Sequence, residues 1–158
     1  MKTKETTTAI TSLLVLLVFG MFAIGSLFVV LIGASDYKSI VDRAEQNNQI
    51  RASLSYVANK IKQGDESASI QVVNQDNLQL LTITQNIDGQ LYDTYIYYHK
   101  GVINEQFIKH NAKLNPNAGT PIVEADDFRV SKENSTITLQ VKCSKITQPL
   151  QLKVRLNT

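Results

Sequence analysis

The chain contains 158 residues, of which 16 are Lys or Arg and 14 are Asp or Glu, so its formal net charge is +2. Domains usually contain about 100–200 residues, and this length therefore allows one domain beside a membrane segment. The positive charges are scattered along the chain, and no basic patch indicates nucleic-acid binding. A single cysteine, Cys143, excludes an intramolecular disulfide and a thiolate cluster for zinc or for iron and sulfur.

An uncharged apolar segment dominates the N-terminal part of the sequence. No Asp, Glu, Lys or Arg lies between Thr6 and Ser35, and a helix formed there would carry Leu, Val, Ile and Phe on every face. About 20 apolar residues, at 1.5 Å per residue, cross the ~30 Å hydrocarbon layer of a bilayer. We therefore predict a short tail at residues 1–8 and a transmembrane helix at residues 9–34, with membrane lipid as its partner.

A cleaved secretory signal is the competing interpretation of this segment. Lys2 and Lys4 precede it and Gly33–Ser35 follows it, but the apolar run is much longer than the ~7–15 residues typical of a signal peptide. Lys38 and Arg43 lie just beyond its far end, so the positive charges on the two sides nearly balance. The free amino group adds a charge to the short tail. We expect a single-pass protein of the cell membrane, with a cytoplasmic N-terminus and an extracellular C-terminal domain.

The next segment, residues 35–64, has the period of an amphipathic helix. Residues recurring at steps of three and four give it one largely apolar face, namely Ile40, Ala44, Asn47, Ile50, Leu54, Val57 and Ile61. No proline interrupts residues 1–115. We predict that the helix continues from the anchor to about Gln63, with Gly64 as its C-terminal cap.

The remaining residues, 65–158, alternate between apolar and polar and are rich in β-branched types, which predicts antiparallel strands. Asp88-Gly89 favours a tight hairpin between two such runs, and His99–Gly101 favours a second turn. The segment from His110 to Pro121 contains Gly, Pro and Asn and is predicted to be a surface loop.

Two clean alternations close the chain and complete the fold prediction. Apolar residues occupy every second position in each, namely Ile137, Leu139, Val141 and Cys143, then Leu150, Leu152, Val154 and Leu156. This pattern indicates half-buried antiparallel strands and a buried, inert Cys143. The helix and the strands each have a single apolar face, so packing these faces together gives a fold of the α+β class.

The sequence contains no residue pattern typical of an active site. We predict His99, beside a turn, and His110, at the edge of the long loop, to be exposed residues without a chemical role. Neither has a second imidazole or a spaced carboxylate pair that would indicate a metal site. Glu124, Asp126 and Asp127 lack the regular offsets and turn glycine of a calcium loop. Nucleophile-elbow and phosphate-loop motifs are absent. We therefore predict no enzyme activity, no catalytic residues, no cofactor or metal site, and no small-molecule substrate.

One short strand carries an unusual number of tyrosines. Tyr92, Tyr95, Tyr97 and Tyr98 lie within seven residues, so both faces of the strand are aromatic. A strand of this composition is usually central and packed. The alternative is a tyrosine-lined surface that binds a partner or a glycan.

Several runs together resemble a known family. These are Arg51–Gln63, Asp88-Gly89, Tyr92–Tyr98 and Gly101, preceded by an apolar segment that ends in Leu31–Ala34. In this order they resemble domain-of-unknown-function family 4860, a family of short single-anchor proteins from Gram-positive bacteria. The resemblance implies the architecture but supplies no activity.

The same layout, a long N-terminal helix whose second half packs on an antiparallel sheet, is similar to type IV pilins and minor pseudopilins. This likeness implies assembly, with apolar helices bundled and sheet domains facing outward. The glycine and phenylalanine of the prepilin-peptidase site are missing from Met1–Ser12, and Glu5 precedes the apolar run rather than following the cleavage point.

Two functional hypotheses follow from these patterns. The first is a membrane-anchored structural or accessory protein, a pilin-like component of a pilus-like or secretion apparatus, whose partners are other membrane or pilin-like proteins. The second is a membrane-tethered sensor or binding domain that recognises a ligand through the tyrosine-rich strand and the loop from His110 to Pro121.

Overall fold

The structure is a computed structural model that describes residues 2–65, 69–144, 146 and 148–157, with side chains from Ile10 onward. It divides into two compact units, Met1–Asp42 and Arg43–Thr158. The predicted α+β class is confirmed, because the described residues form one long N-terminal helix and eight antiparallel strands.

Helix α1 runs from Lys2 to Asp65, as the absence of proline and the continuous helical period predict. The predicted end is slightly early, and Gly64 is not a cap. Gly64 is buried inside the last turn, and the carboxylate of Asp65 accepts a hydrogen bond of 2.6 Å from the backbone N–H of Asn157. A tertiary contact therefore holds the end of the helix.

In the first unit, the apolar side chains of α1 from Ile10 to Ile32 are exposed around the whole helix. Of the described residues, this helix alone is long and apolar enough to cross a membrane. A helix that is apolar on all sides has no stripe for water, so it fits a single-pass membrane anchor.

In the second unit, one face of α1 is buried. Its core residues are Ile50, Leu54, Val57, Ala58 and Ile61. The predicted stripe also included Ile40 and Ala44, but both are exposed, so the buried face begins later than the pattern indicates. Periodicity gives the direction of an apolar face, whereas burial depends on where a partner surface begins.

The strands are divided between two antiparallel sheets, a division that the sequence does not predict. The first sheet contains β1 (Ser69–Gln75), β2 (Leu78–Ile87), β3 (Gln90–His99), β4 (Val102–Lys109) and β5 (Thr120–Glu124) in chain order. The tyrosine-rich strand β3 is therefore central, as predicted. Pro121, which we predicted to close a loop, lies inside the edge strand β5.

The second sheet contains β6 (Asp127–Glu133), β7 (Thr136–Lys142) and β8 (Leu150–Arg155), also in chain order. Side chains from this sheet, from β1–β4 and from the buried face of α1 form one hydrophobic cluster. Two hydrogen bonds of 2.8 Å also connect the sheets: Val130 N–H donates to Gln79, and Lys132 donates to the carbonyl of Ile70.

Two predicted turns have the backbone angles that their sequences favour. Asp88 and Gly89 have φ values of 51° and 80°, and Lys100 and Gly101 have values of 51° and 83°. Two consecutive positive φ values match the right-handed twist of a hairpin. These turns set the register of β2, β3 and β4 and therefore determine which side chains share a face.

Candidate functional site

The first sheet has two chemically different faces. Ile83 of β2, Ile96 of β3 and the residues that share their side of each strand face the common core with α1. The residues that alternate with them form the outer face, which in β1–β3 includes Ser69, Gln71, Val73, Gln75, Leu80, Thr82, Thr84, Asp93, Tyr95 and Tyr97. The outer face is mainly polar, as expected for the side of an antiparallel sheet that lies away from the core.

Asp93 is the centre of a hydrogen-bond network on the outer face. The residue is only 2% exposed, although its lowered pKa keeps the carboxylate charged at neutral pH. Thr84 Oγ1 donates to Oδ1 at 2.7 Å, Tyr95 Oη donates to Oδ2 at 3.0 Å, and His110 Nδ1 lies 3.0 Å from both oxygens. Three donors therefore serve the carboxylate, with the His110 ring nitrogen shared between its two oxygens, and these side chains compensate the cost of burying the charge.

This environment shifts two pKa values. Burial by itself would raise the pKa of Asp93, but the hydrogen bonds from Thr84, His110 and Tyr95 outweigh it and hold that pKa below its usual value. Burial, and then the neighbouring Asp93, raise the pKa of Tyr95 to about 12. At neutral pH the network therefore contains an ionised Asp93 and a protonated Tyr95.

The network borders a depression of about 310 Å³ in the outer face. Its lining is formed by Ser69, Gln71, Val73, Gln75, Leu80, Thr82, Thr84, Asp93, Tyr95, His110 and Asn111. The volume is at the lower end of the range for small-molecule sites, ~300–1,000 Å³. We call this feature the outer-face depression.

His110 is an exposed residue of the turn after β4, as predicted, with 38% of its side chain exposed. The sequence does not predict its contact, because the ring lies against buried Asp93 and lines the outer-face depression. The backbone N–H of His110 donates to the carbonyl of Leu91, which holds the segment after β4 beside β3. Asp93 and His110 are 17 positions apart, and no local motif connects them.

A second polar network connects α1 to the inner side of β4. Glu105 accepts hydrogen bonds from Tyr56 Oη at 2.6 Å and from Lys60 Nζ at 2.8 Å. The hydrogen bond to Glu105 raises the pKa of Tyr56. Burial lowers the pKa of Lys60, but Glu105 outweighs this effect and the net shift is upward. The network fixes the helix on the sheet and borders a mainly apolar groove of about 330 Å³.

The tyrosines of β3 are mostly packed or hydrogen-bonded. Tyr97 is fully buried and donates to the carbonyl of Pro116 at 3.2 Å, and burial raises its pKa. Tyr98 donates to the carbonyl of Asp126 at 2.9 Å, and Tyr92 stacks on Phe107 with 5.1 Å between ring centroids. Of the four, Tyr95 alone lines the outer-face depression.

The other residues considered from the sequence do not form a common site. Nε2 of His99 lies 3.2 Å from Oδ1 of Asn117. Asp127, at the start of β6, accepts a hydrogen bond from Arg129. Cys143 is buried, as predicted, and its sulfur accepts a hydrogen bond from Gln46. Within the described part of the chain, no three His, Cys, Asp or Glu side chains are grouped so that they could hold a metal ion.

The helix and sheets define a class of protein: a small α+β domain preceded in sequence by a helix that fits a single-pass membrane anchor. The chain belongs to the family described as Domain of unknown function (DUF4860), which matches residues 48–144. The matched range runs from the buried part of α1 to the end of β7, so the apolar segment and β8 lie outside it. No curated protein and no solved structure matches the chain.

Proposed function

We propose that this protein is a non-catalytic accessory component of a surface or secretion assembly in the cell membrane. Its N-terminus lies in the cytoplasm, a single helix spans the bilayer, and the β domain lies outside the cell. Its partners are other single-helix membrane proteins, with a pilin-like arrangement of apolar helices.

One observation carries this proposal. The same helix is exposed and apolar on all sides from Ile10 to Ile32, yet its later part supplies five side chains to the core of the β domain. An apolar helix without a polar stripe needs lipid or other helices around it. A domain that is built around the continuation of such a helix is suited to hold a fixed position within an assembly.

The assembly role is tested by gentle extraction and crosslinking. Full-length protein is crosslinked in intact membranes, extracted in several mild detergents, and analysed by mass spectrometry. We expect specific complexes with other single-helix proteins. Recovery as a monomer alone, from membranes and from every detergent, would contradict the proposal.

The orientation is tested by thiol labelling of intact cells with a membrane-impermeant maleimide. A cysteine introduced by Glu133→Cys, at an exposed position of β6, should react. The natural Cys143 is buried and serves as the internal control, since it should react only after denaturation. Labelling of Glu133→Cys only in broken cells would place the domain in the cytoplasm.

A second candidate function is a membrane-tethered binding domain. The outer-face depression favours it, because a buried charged network positions Tyr95 and His110 at the edge of a polar concavity. A purely structural sheet does not need such a network. The two functions are separable, since the first depends on α1 and the second on the outer face.

A further inference from the structure

We propose that the outer-face depression binds a neutral, hydroxyl-rich ligand of the carbohydrate class. This inference deepens the second candidate function and rests on it, and it does not depend on the assembly role. It follows from three properties of the depression: its geometry, its charge, and the hydrogen-bonding groups that it offers.

The geometry comes from the register of three neighbouring strands. Ser69 is paired with Thr84, Gln71 with Thr82, and Val73 with Leu80. On the other side of β2, Thr84 is paired with Asp93 and Thr82 with Tyr95. Thr82 in the middle strand lies between the longer side chains of Gln71 and Tyr95, which makes the surface concave there. Asn111 and His110 border it after the end of β4.

The charge of the site is internally compensated. Among the described residues that line the depression, Asp93 is the only acidic one, and donors from Thr84, Tyr95 and His110 occupy both of its oxygens. These three donors occupy most of the roughly four acceptor sites of a carboxylate, and the residue is only 2% exposed, so little of its charge is open to an incoming cation. The lining residues that the structure describes include no Lys or Arg that would attract an anion. A neutral ligand therefore suits the depression better than an ionic one.

The remaining groups offer both donors and acceptors. Gln71, Gln75 and Asn111 carry side-chain amides with donor hydrogens and an acceptor oxygen, and Gln71 already donates one hydrogen to Ser69 Oγ at 3.2 Å. The hydroxyl oxygens of Thr84 and Tyr95 still accept, because their hydrogens point to Asp93. A ligand that itself has many groups able to donate and accept, as a sugar has, satisfies such a lining.

His110 has a defined part in this arrangement. An ionised Asp93 requires a hydrogen on Nδ1, so Nε2 is the ring nitrogen available to a ligand. In the neutral ring Nε2 accepts a hydrogen bond from a ligand hydroxyl, and in the protonated ring it donates one. Val73, which is 39% exposed, supplies apolar surface in the lining for the C–H face of a sugar ring.

The test uses full-length protein in phosphatidylcholine nanodiscs, without sugar-headed detergents. Chitotetraose, maltotetraose, tri-alanine and inorganic phosphate are titrated separately, and NMR reports the His110 imidazole and the backbone amides of β1–β3. We expect one neutral oligosaccharide to shift the His110 resonance in a saturable way, together with amides at the depression. Shifts produced only by tri-alanine or phosphate, shifts confined to other surfaces, or no shifts at all would overturn the proposal.

Two variants locate the site, each with a matched control. Asn111 and Asn134 both have positive φ, 65° and 52°, so Asn→Gly removes an amide at either position without backbone strain. Thr82→Val removes a hydroxyl from the depression, and Thr138→Val does the same in the middle of β7. Because each lining change removes one hydrogen bond, we expect Asn111→Gly and Thr82→Val to weaken binding about five- to tenfold. The controls should bind as the wild type does, and equal effects at both sites of a pair would overturn the assignment.

Failure of the ligand proposal is distinguishable from failure of the proposed assembly role. Loss of sugar binding leaves the crosslinked complexes of α1 unaffected, and loss of those complexes leaves the titration unaffected. Thermal unfolding of each variant confirms that the β domain is intact.

Discussion

Two stretches of α1 have similar apolar residues but opposite surroundings. From residue 10 to residue 32 the large side chains are exposed, with Leu16 at 73%, whereas Ile61 in the later stretch is fully buried. The first stretch is apolar on every face, and the second on one face only. Hydrophobicity alone therefore does not decide whether a helix packs against the rest of the protein. A helix that is apolar on one face packs that face on a core, whereas a helix that is apolar on every face fits a lipid environment.

This contrast assigns different energetic roles to the two stretches. Charges in the first stretch should affect membrane retention and leave the β domain folded. Charges in the second stretch should unfold the β domain and leave membrane retention unchanged. Variants placed in each stretch, with the same measurements applied to both, test the contrast directly.

The largest effect is expected from two charges in the first stretch. In Leu17→Arg/Phe22→Arg, two arginines near the centre of the apolar run cost on the order of 5–7 kcal/mol of insertion free energy. We expect loss of the protein from the membrane pellet after alkaline carbonate extraction. The control is Tyr37→Arg/Ile40→Arg, which changes exposed residues beyond the apolar run and should remain in the pellet. Full retention of the first variant would contradict the anchor assignment.

A single charge in the second stretch should have the next largest effect. Leu54 is 5% exposed and belongs to the core shared with both sheets, so Leu54→Asp buries an unpaired carboxylate. We expect a loss of unfolding free energy of about 4 kcal/mol or more, measured by thermal unfolding in nanodiscs. Ile40→Asp introduces the same charge at an exposed position of the same helix and should leave the melting temperature unchanged. Equal melting temperatures for both variants would contradict the packing of α1.

A smaller, pH-dependent effect is expected in the β domain. The carboxylate of Asp93 accepts hydrogen bonds from three donors, and in Asp93→Asn an amide takes its place. We expect the free energy of unfolding to fall by about 1–3 kcal/mol at pH 7. The pKa of Asp93 is lowered by folding, so its ionised form stabilises the domain above the unfolded-state pKa, about 4. That contribution is lost as the pH falls through the lower, folded-state pKa.

The difference in stability between wild type and Asp93→Asn should therefore be largest near neutral pH and shrink in acid. Denaturant unfolding measured from pH 7 down to pH 3 provides this comparison. Asp127→Asn is the matched control, because Asp127 is an exposed partner of Arg129 and such surface pairs contribute ~0–1 kcal/mol. A constant difference at all pH values would show that Asp93 does not act through its charge. The apolar run of α1 has no ionisable side chain, so membrane retention should not follow this profile.

Much of the fold is predictable from local patterns. The apolar run and the following 3.6-residue period predict one long helix, and Asp88-Gly89 predicts a hairpin whose φ values the structure confirms. Alternation of apolar and polar residues predicts β7 and β8. These features depend on residues that are close together in sequence, so the sequence contains the information needed to recognise them.

The division into two sheets and the candidate site depend on distant residues. The chain passes from β5 to β6 through Ala125 and Asp126, where no proline or glycine indicates a change of sheet. Likewise, Asp93 and His110 meet only because the β3–β4 hairpin register returns the chain to the start of β3. One signal of this network is present in the sequence. Asp93 lies in an aromatic strand, where a charge that becomes buried needs hydrogen-bond partners.

By itself, therefore, the sequence determined the uncharged helix that fits a membrane anchor, the helical period that follows it, and the strands with their turns, because each depends on spacing along the chain. The tertiary structure alone decided where the buried face of α1 begins, how the strands divide between sheets, and which side chains solvate Asp93. Those outcomes follow from the burial of apolar surface and of one charge among residues distant in sequence, and no local pattern encodes them.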